Sequence, residues 1–296
     1  MKKLLIFAIV GFFAQIIDGS LGMAFGATSS SLLLVFGVAP AVVSASIHIS
    51  EIATTASSGI SHWRFGNVDK QLLWRLIIPG SISAFLGAAF LSNLNGEVLK
   101  PFISLFLFLM GIYIIIRFMF KFYPSEDYST RKLKNIFLIP LGALAGFFDA
   151  VGGGGWGPIN TPILLSKKGF VPRKVIGTVS ASEFAVTLSA SLGFLLFLGW
   201  EQINWLWVAG FALGGVVAAP FAAWLVKVIP TYLLGVLVGG LIVFTNAQTL
   251  IGLIVEDDVI KYIINGSLIL VWIALFVYAV FSKNEKKIEI LQNTNL

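Results

Sequence analysis

The stretch "DAVGGGGWGPINTPILL", Asp149 to Leu165, decides how the chain must be read. Four consecutive glycines, Gly152 to Gly155, lead into Trp156, a further glycine and two prolines, with apolar sequence on both sides. Glycine and proline are the poorest helix formers. Here they stand in surroundings greasy enough for a bilayer, where unpaired backbone is most costly. Irregular backbone at that depth is tolerated only where it is buried in protein or lines a cavity. The segment therefore reads as a break, followed by a new helix near Pro158–Ile163, since proline suits a first helical turn.

Working outward, the 296-residue chain is 57% hydrophobic and 11% charged, less than half the charge of an ordinary soluble domain. It cannot cover a water-facing surface, and it reads as an all-α, polytopic integral membrane protein. The net charge of +6 is then a topology signal and not a nucleic-acid footprint. With no cysteine, disulfides and thiolate metal sites are excluded, and no cofactor or metal site is read. HExxH, Walker and Ser/His/Asp patterns are missing, so an enzyme is not expected.

The glycine stretch has a counterpart, "DGSLGMAFGATSSSLLL" from Asp18. Aligning Asp18 with Asp149 puts Gly22 on Gly153 and Gly26 on Gly157. After one residue of slippage Pro40 falls on Pro172, Ser50 on Ser182, Glu51 on Glu183 and Thr55 on Thr187. The chain divides into a first repeat (1–123), a cytoplasmic linker (124–134), a second repeat (135–256) and an extra helix with a basic tail (257–296). Each repeat has five apolar segments, the first two short or Gly-broken, and these either span fully or re-enter as hairpins. "KKGFVPRK" (Lys167–Lys174) is strongly basic while its counterpart "FGVAPA" is uncharged; the basic "SHWRFGNVDKQLLWR" (Ser61–Arg75) faces "GWEQIN". Basic loops that alternate between copies predict an inverted second repeat with the C-terminus in the cytoplasm. The same count places "MKK" outside, against the rule. Inverted repeats with a midplane site are the architecture of secondary transporters.

Two breaks aimed at the midplane suggest an anion cradle, because helix N-terminal amides lack partners and carry partial positive charge. Its candidate residues are Gly152, Gly153, Gly154, Gly155, Asn160 and Thr161 in one copy and Thr28 and Ser29 in the other, with Ser50 and Ser182 nearby. Close helix packing through small-xxx-small spacing is the alternative, and both can hold. Glu51 and Glu183 lie inside apolar segments, where a carboxylate needs a partner, a proton or a cavity. Ser44, His48, Glu51, Thr55 and Ser58 share one helix face, and Ser180, Glu183 and Thr187 repeat the stripe. The two glutamates are candidates for proton coupling or gating. For His48 that role and a structural one weigh equally, and Asp18 and Asp149 are either helix caps or ligands for water or a coupling cation.

The residues "AGFFDAVGGGGWGPINTPILL" (Ala145–Leu165), "HISEIATTASSGISHWRFGNVD" (His48–Asp69) and the paired Ser50-Glu51 and Ser182-Glu183 resemble the sulfite exporter TauE/SafE family of membrane permeases. The resemblance implies a multi-pass cell-membrane transporter of sulfite, sulfonates or other sulfur-containing anions, typically exporting and proton-coupled. Its partners would be a small anion, protons and the lipid bilayer. Family members are described with about eight spans, against ten or eleven segments in this chain. The competing expectation is a flippase for an anionic lipid carrier.

Overall fold

The structure is a computed structural model that describes residues 2–21, 23–120, 133–165, 172–225 and 231–294. Most of the linker at 124–134 and much of the basic loop after Leu165 lie outside these residues, as does Gly22. Among the described residues all regular structure is helical. The first five helices are α1 (Lys2–Leu21), α2 (Phe25–Val35), α3 (Pro40–Arg64), α4 (Lys70–Ser92) and α5 (Gly96–Phe120). The next five are α6 (Asn135–Gly152), α7 (Trp156–Leu165), α8 (Pro172–Phe197), α9 (Trp205–Leu225) and α10 (Thr231–Ile254), followed by α11 (Asp258–Thr294). Six of them, α4, α5, α6, α8, α10 and α11, contain stretches long and apolar enough to cross a membrane. The chain is thus an all-helical polytopic membrane protein. By contrast α2 and α7, with 11 and 10 residues, reach only about 15 Å, half the hydrocarbon thickness.

Local signals place the boundaries. Pro40 opens α3 from its first turn, where a missing N–H costs nothing. Asp69 caps α4, its carboxylate accepting from the Gln71 and Leu72 amides at 2.9 and 3.1 Å. The surface is greasy, with residues such as Trp74, Ile78, Ile82 and Leu86 outward on α4, while many serines and threonines, together with His48, Glu51 and Asp149, lie inside. This is the arrangement lipid demands, since apolar side chains need no shelter there and polar ones do.

Close contacts at small residues fix the relative directions of the helices. Gly210 and Gly214 of α9 meet Leu4 and Ala8 of α1, so these two run parallel. Gly142 and Gly146 of α6 meet Leu76 and Gly80 of α4, again parallel. Along α8, Thr178 meets Asp69, Val186 meets Gly80 and Gly193 meets Ala88, so α8 also parallels α4. The α3–α8 pair is antiparallel: Gly59 meets Ala181 at one end and His48 meets Phe194 at the other. The α5–α10 pair is antiparallel too, with Gly111 on Val243 and Phe118 on Gly235. Exchanging α1–α5 for α6–α10 maps the main packing pairs onto themselves: α1·α9 onto α4·α6, α3·α9 onto α4·α8, and α3·α8 and α5·α10 each onto itself. Outside this set lies α11, which leans on α10 through the Trp272 indole N–H and the Val236 carbonyl at 3.1 Å.

Since α6 and α8 both advance with α4, the short α7 between them brings the chain back, and α6–α7 is a helical hairpin. The first copy bends likewise. Although α1 continues to Leu21, Phe25 at the start of α2 already lies back beside Gly215 of α9, level with Gln15. The starts of α4, α6 and α8 gather at one end. Lys174 Nζ donates to the Gly66 carbonyl at 2.6 Å, and Arg75 Nη1 to the Leu133 carbonyl at 2.9 Å.

Candidate functional site

The bend of the second hairpin is built by glycines in backbone states that side chains disfavour. Gly153 has φ 68° and Gly154 φ 156°. The four amides after the break are not bare. The Gly153 and Gly154 N–H groups donate to the Asp149 carbonyl at 2.7 and 3.2 Å. Those of Gly155 and Trp156 donate to its carboxylate Oδ1 at 2.7 and 2.9 Å. The expectation of unpartnered amides across Gly152–Gly155 is therefore corrected: Asp149 caps α7, and a helix N-terminus attracts the nearest carboxylate for the same reason it attracts a free anion. The glycines also let the two bends touch. A Cβ on Gly26 would fall 2.7 Å from Gly154 Cα, and one on Gly154 would strike the Ala27 amide. Ser30 Oγ donates across to the Gly153 carbonyl at 2.7 Å.

Asp149 also faces His48, whose Nε2 lies 3.2 Å from Oδ2, with both side chains buried. His48 Nδ1 meets the Ser44 carbonyl at 2.8 Å. A carbonyl only accepts, so Nδ1 carries a proton. Nε2 and Oδ2 complete a buried histidine–aspartate pair between α3 and α6. Ser44 Oγ bridges at 2.5 Å to the Ala150 carbonyl, tying α3 to the hairpin a second time.

The first hairpin is looser. Among the described residues Asp18 Oδ1 accepts one long bond, from the Phe25 amide at 3.3 Å. Ala24 at its bend has φ 105°, a strained state for a residue with a Cβ. Asp18, Glu51 and Glu183, carried by α1, α3 and α8, line one cavity together with Gln15, Phe25, Thr54, Thr55 and Ser58. Its volume is about 10 Å³, room for one water. Glu51 is 5% exposed, and among the described residues no hydrogen bond reaches its carboxylate or the side-chain amide of Gln15, which is 2% exposed. Gln15 escaped the sequence reading because it has no counterpart in the second copy, where the matching position is Gly146. A polar side chain in the middle of an otherwise apolar segment was the available signal.

The stripe on α3 thus serves two places: Ser44 and His48 bind the second hairpin, while Glu51, Thr55 and Ser58 face the cavity. Ser50 and Ser182 do not open into it. Ser50 Oγ donates to the Ile47 carbonyl at 2.7 Å, and Ser182 Oγ to that of Val179 at 2.7 Å while also meeting the Trp156 indole N–H at 3.2 Å. Thr28 Oγ1, Ser29 Oγ, Asn160 Oδ1 and Thr161 Oγ1 are buried without a hydrogen-bond partner. Asn246 of α10, unremarked in the sequence, donates to Ser31 Oγ at 2.7 Å and leaves its own Oδ1 without one. Such orphaned groups are rare in folded interiors; among the described residues others lie on α3, α4, α5, α8 and α11.

Comparison with known proteins agrees in kind. Residues 7–249 match the family described as Sulfite exporter TauE/SafE. A Bacillus subtilis (strain 168) protein described as "Probable membrane transporter protein YtnM" is 56% identical over 278 residues, 94% of this chain and 93% of that protein. A Sinorhizobium sp. protein, "Probable membrane transporter protein ORF9", is 26% identical over 209 residues, 70% of this chain and 76% of its own. No solved structure matches.

Proposed function

Because the chain belongs to the sulfite exporter TauE/SafE family, and so is a membrane transporter rather than an enzyme, we propose that it carries a small anion such as sulfite or an organosulfonate by proton-coupled alternating access. One observation carries the coupling: the carboxylates of Asp18, Glu51 and Glu183 converge on a water-sized cavity between the two halves. An acid held at bilayer depth without a basic partner is a proton carrier by default.

The inverted-repeat reading is supported by the antiparallel packing of α3 on α8 and α5 on α10. Equivalent helices that meet antiparallel imply a two-fold axis in the membrane plane. The gathering of Arg64, Lys70, Arg75, Lys134 and Lys174 at one end supports a cytoplasmic assignment for that end. Asp149 marks where an anion can act. Its carboxylate sits on the Gly155 and Trp156 amides, and a substrate oxyanion takes over those amides when the bends separate, with Asn160, Thr161, Thr28 and Ser29 as further donors. No observation in the geometry favours the lipid-carrier alternative.

Reconstituted protein tests the reading. Sulfite or sulfonate flux should follow an imposed pH gradient, and Glu183→Gln should abolish that dependence while leaving anion binding measurable. Full pH-gradient dependence in Glu183→Gln would remove the proton role.

A further inference from the structure

A second hollow, of about 290 Å³, lies between α3, α4 and α8. Its walls include Ala56, Ile60, Trp63, Leu73 and Phe184, so it is apolar. It meets the acidic cavity along α3, since Thr55 lines both and Ser58 of the cavity adjoins Gly59 of the hollow. Lys70, 5.2 Å over the Trp63 ring, stands near its outer end. The volume is at the lower edge of small-molecule sites, and such sites combine apolar walls with a few polar groups that fix orientation. Sulfite would find little to hold it here: the Thr55 hydroxyl proton already goes to the Glu51 carbonyl at 2.6 Å.

We infer that the hollow and the acidic cavity form one binding site for an organic molecule with a compact apolar body and an ammonium head, the body between Trp63 and Phe184 and the head among Asp18, Glu51 and Glu183. The inference rests on the transporter reading and names a feature of the cargo: it carries an amine beside its acidic group. Charge selects the head. Three carboxylates line the inner cavity and no Lys or Arg lines either space. The facing elements α2, α4 and α9 bring Phe25, Leu73 and Gly215, none of which titrates, and His48 behind Glu51 is engaged by Asp149. A second, uncharged group points to a ligand independently of the acids: the Gln15 side chain is buried, lines the cavity and, among the described residues, makes no hydrogen bond. Among the described residues no set of three His, Asp or Glu side chains has the spacing to hold a metal ion. An ammonium with its three spread donors tolerates carboxylates set wider apart than a metal does.

The assignment carries a mechanism. Protons and an ammonium group compete for the same carboxylates, so each lowers the affinity for the other, which is the linkage an exchanger needs. The opposite linkage, affinity rising with acidity, belongs to an anion that enters together with protons.

The test uses purified full-length protein in detergent and three probes with one body: benzylamine, benzyl alcohol and phenylmethanesulfonate. Benzylamine should bind at least about tenfold tighter than the other two at pH 8, and weaken by about tenfold or more at pH 6. Glu51→Gln should remove that preference, with Glu183→Gln as a second variant if the first does not fold, and Ala56→Trp should block all binding by filling the hollow. Equal affinity for the three probes, preference for the sulfonate, no benzylamine binding, or tighter amine binding at pH 6 would each overturn the assignment. Flux of a simple sulfonate under a pH gradient together with any of these would leave the transporter reading standing, whereas amine binding without anion flux would do the reverse.

Discussion

The two hairpins descend from one pattern and differ in how tightly they are held. In α6–α7, Asp149 is engaged by two amides and by His48, and the Trp156 indole fills the space beside Gly80, donating at 3.1 Å to the Val179 carbonyl. In α1–α2 the equivalent Asp18 has, among the described residues, a single 3.3 Å bond, and Phe25 replaces the tryptophan. The position equivalent to His48 is Ser180, so Asp18 gains no imidazole partner. The result is one closed bend and one that leaves a cavity. The two stretches align residue for residue, and differences at three positions, His48/Ser180, Trp156/Phe25 and Gln15/Gly146, accompany one closed bend and one beside a cavity.

That contrast can be broken or sharpened by experiment. The largest effect is expected at the contact between the bends. Gly154→Leu should prevent folding, because its side chain would enter the Ala27 backbone from a φ that leucine avoids. A folded variant with unchanged anion binding, read by thermal unfolding and ligand titration, would show that the bends need not touch. Next, Asp149→Ala should cost about 3–5 kcal/mol, since it leaves a buried imidazole and two amides without their acceptor. Asp18→Ala should cost about 1 kcal/mol, the worth of an ordinary hydrogen bond. Equal losses in unfolding midpoint for the two alanine variants would mean the hairpins are held alike. The smallest difference is expected at the paired serines. Ser182→Ala should lose about 1 kcal/mol through Trp156, and Ser50→Ala, which touches only its own helix, about half of that. A larger loss for Ser50→Ala would place it in contact with something beyond Ile47.

Much of this was legible without coordinates. Composition decided the membrane class, because a chain with 11% charged residues has no other stable solvent. The glycine run announced a break, and the half-length α2 and α7 bear it out. The free amides did not survive. The sequence reading treated Asp149 as a cap or a ligand site, and nothing in the spacing of Asp149 and Gly155 says that the carboxylate turns back six residues onto the new helix. The cavity was half visible, since Glu51, Thr55 and Ser58 share a face by periodicity, while Gln15 and Asp18 reach it from another helix.

What the linear order determined, then, is everything that depends on solvent and local geometry: the lipid-facing helices, the broken segments and the faces on which acids lie. Tertiary structure alone decided which of two equivalent aspartates pairs with a histidine and which faces open space. That choice depends on a histidine 101 positions away in the chain and on whether an indole or a phenyl ring fills the gap. Contacts of that kind follow from packing in three dimensions, and no periodicity along the chain encodes them.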